Sequence, residues 1–193
     1  MHEFVWSGFY VIFSPDFMKN VSSETEAVDT FYMELALTEA KKAVIQGEVP
    51  VGAVMVYGGN VIGRSHNRRE EWQNPLCHAE IIAIDAASRY LQNWRLTECD
   101  IYVTLEPCIM CVGAILQARI RSLVFGCLDP KAGAAKSLYR LGEDQRLNHQ
   151  LPVIGGVMAA DCASLLADFF CRLREQKRNI EKAERWPSPA EGA

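Results

Sequence analysis

His78-Ala79-Glu80 and, further along, Pro107-Cys108-Ile109-Met110-Cys111 decide how this chain is read. Together they offer three soft zinc ligands, His78, Cys108 and Cys111, and one carboxylate, Glu80, that is not needed as a fourth. A structural zinc site is closed by four protein ligands, whereas a catalytic site keeps one position open for water. No second Cys-x-x-Cys accompanies the pair, and Cys77, Cys99, Cys127, Cys162, Cys171, His2, His66 and His149 are scattered without ligand spacing. An open fourth position follows. A redox role for the Cys-x-x-Cys would call for a thioredoxin-like context, which the sequence does not supply.

The elements around these residues can be placed from pattern. Residues 27–46 repeat apolar side chains at helical spacing (Phe31, Leu35, Ala36, Ala40, Ala43, Val44), with Gly47 as the stop. Runs at 51–57 and 60–62 flank Gly58-Gly59, a hairpin signal. A helix over 79–90 is followed by a strand over 101–105, a helix from Pro107 to about Ala118, a strand over 122–125, a fifth strand over 153–157 and a helix over 160–177. Pro107 suits the first helical position, where a missing N–H costs nothing. Cys108 and Cys111 then fall in one turn, on one face, at a positive helix end that favours thiolate. Helices alternating with strands after an opening hairpin predict a three-layer α/β/α domain, with a mixed five-stranded sheet covered on both faces.

Composition narrows the class. The chain has 193 residues, 49% hydrophobic and 23% charged, which fits one domain with a substantial core. Seven unevenly spaced cysteines do not describe a disulfide framework, and thiolate ligation needs the reduced state, so a cytoplasmic protein is expected. The apolar run over 4–13 lacks a basic start and is too short to span a membrane. Residues 1–26 are expected to be an extension of the domain at 27–178, disordered or in part an artefact of a translation start before Met18. Residues 179–193 should be a helix end and then a disordered, Pro- and Gly-containing tail. The formal charge of −4 is unevenly spread. Residues 119–178 carry ten Lys and Arg against six Asp and Glu, leaving ten against eighteen elsewhere, so the basic surplus lies in the C-terminal part.

Further stretches carry a resemblance. Val49-Pro50-Val51-Gly52-Ala53-Val54, Asn67-Arg68, Tyr102-Val103-Thr104-Leu105-Glu106-Pro107-Cys108, Phe125-Gly126 with Asp129, residues 131–137, Asn148-His149 and Asp168-Phe169-Phe170 resemble the bacterial tRNA-specific adenosine deaminases, within the cytidine and deoxycytidylate deaminase superfamily. The similarity runs from Tyr32 to Arg174. It implies the same three-layer fold, one zinc ion per subunit, a homodimer formed through the helix after Cys111, and hydrolytic deamination of the wobble adenosine in a tRNA anticodon stem-loop to inosine. In that reaction zinc-activated water attacks the amino-bearing carbon while Glu80 moves the protons. The resemblance further implies that Asn67, Val51, Leu105 and the backbone N–H of Ala79 line the base pocket, and that Asp129 contacts the nucleotide backbone beside the target. Lys131, His149 and Phe170, with Asn148, stand as weaker contacts to phosphate or bases, although Phe169 and Phe170 are equally explicable as core. Lys136 departs from the family pattern, where glycine is common, as does Cys171, where a basic residue often sits. Cys77, unusual beside His78, reads as a pocket-wall thiol. Two other readings stay open at this point: a deaminase of a free base or nucleoside, and a non-catalytic zinc-stabilised RNA-binding or partner subunit.

Overall fold

The computed structural model describes the backbone of residues 5–6, 9–10 and 15–185 and the side chains of residues 24–182. Two short strands, β1 (Val5–Trp6) and β2 (Phe9–Tyr10), pair with each other ahead of helix α1 (Pro15–Ile45). The main sheet contains β3 (Gly52–Tyr57), β4 (Asn60–His66), β5 (Cys99–Leu105), β6 (Ser122–Cys127) and β7 (Val153–Gly155), with helices α2 (Ala79–Leu91), α3 (Ile109–Gln117) and α4 (Ala159–Arg185) between and after them. Its order is β4-β3-β5-β6-β7. The first two pairings are antiparallel, and β5-β6 and β6-β7 are parallel, so the expected mixed five-stranded sheet is present.

Period-two alternation divides the sheet's side chains between two cores. Ala53, Met55, Ile101, Val103, Leu123 and Phe125 meet Ala83 and Ala87 of α2 and Val112 and Ile115 of α3. Val54, Val56, Tyr102 and Val124 face the other way, against Met33, Ala36 and Leu37 of α1 and Cys162 of α4. Because both faces are covered, the central strands are nearly continuous apolar runs. Helix α1 lies so close to β3 that a Cβ on Gly52 would meet the Ala36 carbonyl oxygen. Gly58 and Gly59 turn the β3-β4 hairpin at φ +54° and +79°, values that glycine adopts without strain.

Several boundaries differ from the expected ones. Helix α1 starts at Pro15, inside the stretch read as an extension, because nothing between Asp16 and Gln46 breaks a helix and proline suits a first position. Strand β4 continues through Arg64 and Ser65 to His66, polar residues that mask its pattern while pairing with β3 out to Gly52. Strand β7 is short, and α4 runs on to Arg185. The expectation for the tail beyond residue 185 lies outside the described residues, as does most of the question about residues 1–14. No helix among the described residues is long and apolar enough to cross a membrane.

Candidate active site

The ligand residues sit at two strand-to-helix junctions on one end of the sheet. His78 is the N-cap of α2 and Cys108 the N-cap of α3, both in extended conformation and neither making a side-chain cap hydrogen bond. Cys108 therefore precedes α3 rather than lying in its first turn, and Pro107 stands one residue outside the helix, since α3 begins at Ile109. Cys111 reaches the same point from within the first turn of α3. His78 Nδ1 lies 3.8 Å from Cys108 Sγ and 3.5 Å from Cys111 Sγ, and the three ligand atoms fall within 4.8 Å of one another. Zn–N and Zn–S bonds of about 2.0 and 2.3 Å at a tetrahedral angle separate N from S by about 3.5 Å. These distances and the His/Cys/Cys donor set fit zinc, with a fourth position left over.

Charge is arranged to suit a cation. Hydrogen bonding from Cys111 and His78 outweighs burial and holds the Cys108 thiol down to about 4, so it is a thiolate. The Cys111 thiol, which shares its proton with Cys108 and is buried beside Glu80, is pushed up. His78 is raised, chiefly by Cys108. Ligand groups of this kind give up their protons to solvent when a metal binds. Glu80 follows two residues after His78 in the first turn of α2, only 4% exposed, and burial raises its carboxyl above the usual range. The three α2 N–H groups that begin at Ala79 have no intrahelical partner and face the same end of the fold.

A second carboxylate, Glu106, organises the segment that borders the ligands. It is 2% exposed and accepts hydrogen bonds from the backbone N–H groups of Asp129 (3.0 Å), Ala135 (3.1 Å), Lys136 (2.6 Å) and Ser137 (2.8 Å), and from the Ser137 hydroxyl. Burial alone would raise this carboxyl, but those donors together lower it. Gly133 packs where a Cβ would lie 2.4 Å from the Glu106 carboxylate, and it bridges to Cys108. Asp129 uses Oδ1 to accept from the N–H groups of Lys131 (2.9 Å) and Ala132 (3.2 Å), which sets the turn that presents it. Lys131 and Lys136 are exposed, and Lys136 touches Glu106 only through its backbone, which is why a side chain is tolerated there.

Asn67 leaves the end of β4 with its N–H on the Val51 carbonyl (3.1 Å), and Gly52 N–H binds Thr104 Oγ1 (3.0 Å), so Asn67, Val51 and Leu105 share the ligands' end of the sheet. The sequence reading missed Glu48, wholly buried, whose Oε2 accepts from Asn67 Nδ2 (2.9 Å) and whose Oε1 accepts from the Glu71 N–H (2.7 Å). His149 is bound through Nε2 to the Ile120 carbonyl (3.0 Å) and Asn148 accepts from Arg119 (2.9 Å), which ties both to the end of α3. Phe170, 42% exposed, stacks edge-on against Phe169 on α4 and is not part of a buried core. Cys77 is buried and outside the ligand triad, its carbonyl accepting from Arg68 N–H (3.0 Å). Beside β4 opens a cleft of about 640 Å³ lined by Lys42, Arg64, Arg68 and Trp72 among others.

Comparison with known proteins agrees with this geometry. Residues 26–127 match the model of the cytidine and deoxycytidylate deaminase zinc-binding region. The chain is 46% identical over 154 residues to the tRNA-specific adenosine deaminase of Bacillus subtilis, covering 80% of this chain and 96% of that protein. The tRNA-specific adenosine deaminase of Haemophilus influenzae is 47% identical over 156 residues, with 80% and 90% covered. A solved tRNA:A34 deaminase, studied for A-to-I editing at the wobble position of transfer RNA, superposes with a TM-score of 0.69 at 46% identity, over 71% of this chain and 99% of that one. A guanine deaminase from Nitrosomonas europaea, at 20% identity and a TM-score of 0.59, shares the fold. Ligand spacing, fold and these identities together place the chain in the cytidine and deoxycytidylate deaminase family, among the tRNA-specific adenosine deaminases.

Proposed function

We propose that the chain converts the wobble adenosine of a tRNA anticodon loop to inosine by hydrolysis, releasing ammonia. His78, Cys108 and Cys111 would hold the zinc ion, which would supply a Lewis acid able to make water a nucleophile at neutral pH. Glu80 does the proton work: its buried carboxylate, raised in proton affinity, takes one proton from the attacking water and delivers it to the purine ring nitrogen, then takes the remaining hydroxyl proton and passes it to the amine, which departs as ammonia. Asn67, Val51, Leu105 and the Ala79 N–H hold the extruded base, and Asp129 meets the neighbouring sugar-phosphate. Lys131, His149 and Phe170 lie at the edge of this footprint.

The observation that carries the reading is the buried Glu80 set two residues after one ligand of an open triad, in a chain nearly half identical to deaminases of this specificity. A homodimer in the cytoplasm completes the proposal. The α3 side leaves Ile109, Leu138 and Tyr139 about half exposed, apolar surface that a second copy would cover. Light scattering that finds only monomer would remove this part.

Mass spectrometry after incubation with an anticodon stem-loop carrying a wobble adenosine, with free adenine, guanine and cytosine in parallel, tests the whole. Inosine in the stem-loop alone is expected. Turnover of a free base alone would overturn the substrate and leave the ligand set standing.

A further inference from the structure

Glu48 is a fully buried carboxylate that the reaction does not use, and its two oxygens are spent on two points of the same loop, Asn67 and Glu71. Burial of a carboxylate is costly unless its oxygens find donors, so its presence so close to the site calls for a reason. The bond to Asn67 supplies one. A primary amide carries an oxygen acceptor and a nitrogen with two hydrogens, and it can be turned over with little change in shape. Against the Glu48 carboxylate only one orientation is tolerated: nitrogen inward, donating, because an inward oxygen would face another oxygen. Among the described residues, His66 Nδ1 is the one buried side-chain nitrogen or oxygen with no hydrogen-bond partner. Asn67 is 7% exposed, its Oδ1 accepts no hydrogen bond, and that oxygen is not fully enclosed, so it keeps access to solvent beyond the end of β4.

We infer that Glu48 is a positioning residue for base recognition: it fixes the order in which Asn67 presents acceptor and donor to the purine. An edge of adenine carries an amino donor beside a ring-nitrogen acceptor, and reversing the amide would set like against like. The inference rests on the proposed role of Asn67 as a base contact. Glu48 lies 19 residues from Asn67 in sequence and touches no substrate itself.

A double-mutant cycle on the zinc-loaded full chain tests it, with kcat and KM measured separately on the adenosine stem-loop alongside zinc content and Tm. Glu48→Gln, whose amide accepts either orientation of Asn67, is expected to lower kcat/KM about tenfold or more. In an Asn67→Ala background, where no amide remains to be oriented, the same change should alter kcat/KM by less than about twofold, with zinc content unchanged in all variants. Equal losses in both backgrounds, or no loss in either, would overturn the assignment. Glu48→Met, of similar length and without a competing amide, is the second variant should Glu48→Gln not fold. Failure of both to fold would make Glu48 a purely structural group and likewise overturn it. If the unmodified protein leaves the stem-loop unchanged, the functional reading falls and this one with it; turnover with multiplying losses removes this one alone.

Discussion

Glu80, Glu106 and Glu48 are three carboxylates withdrawn from water at the same end of the sheet, and each is withdrawn for a different reason. Glu80 lacks the ring of donors that surrounds Glu106, and burial raises its proton affinity, which is what a proton carrier needs and what a structural anion does not. Glu80→Gln should keep zinc and Tm while lowering kcat by about 10²- to 10⁴-fold, measured by single-turnover deamination alongside atomic absorption. His66 gives a pH effect of its own. Burial first, then the charge of Arg68, lowers its pKa from 6.5, against the opposing pull of Glu39, whose Oε2 lies 3.6 Å away. A histidine whose folded pKa is lowered leaves stability untouched above the unfolded value. Below it the unfolded chain takes up a proton that the folded one refuses, so stability falls. Tm should therefore drop as pH goes from 7 to 5.5, and His66→Gln should flatten that slope in thermal melts. Of these residues only Glu80 was legible in the sequence, since its proposed role follows from a spacing of two from His78. Glu48 reads as a polar residue between a helix stop and a strand, and nothing local distinguishes it from a solvated one.

At the scale of elements, the ligands are held by local signals and the substrate loop by a distant one. His78 and Cys108 are both extended N-caps, Cys108 three residues after β5 and His78 at the end of the loop that follows β4, and their ligand atoms meet at one point. The 129–137 loop has no regular structure of its own and folds around Glu106, its backbone donors converging on one carboxylate. Glu106→Gln replaces an anion that accepts from every donor with an amide that must turn a nitrogen toward some of them. It should cost about 3 kcal/mol in denaturant unfolding and make limited proteolysis cut within 129–137, with zinc still bound. Protection equal to that of the unmodified chain would show that the loop holds itself. Element types and the sheet's composition could be read from periodicity. The course of β4 through Arg64 to His66 could not, because Ser65 and His66 are polar residues that are buried, so the end of the strand carries no apolar pattern.

Across the whole molecule, a chain of net charge −4 is proposed to bind a polyanion, so distribution has to overcome the total. Basic residues stand together at the exposed end of α4, with Arg172, Arg174, Lys177 and Arg178, and in the cleft beside β4, where Lys42, Arg64 and Arg68 lie beside Glu39 and Glu71. The second lies in the acidic half, where sequence counting placed no basic surface. Stem-loop affinity should fall steeply with salt, log Kd rising by about 0.7 per log unit of salt for each phosphate neutralised, as fluorescence anisotropy would read. Charge reversal at Arg64 and Arg68 should flatten that slope if the cleft takes part, whereas an unchanged slope confines the footprint to the C-terminal side. The sequence by itself pointed to the candidate ligand set and the proposed proton carrier and to the layered architecture, because metal chelation and amphipathic packing are written in short spacings that survive whatever the rest of the chain does. Only the tertiary structure decided what holds the substrate side in place: Glu48 on Asn67 and Glu106 on the 129–137 loop. Those contacts join residues 19 to 31 apart in sequence, and they exist because the sheet brings loop ends together over a buried carboxylate.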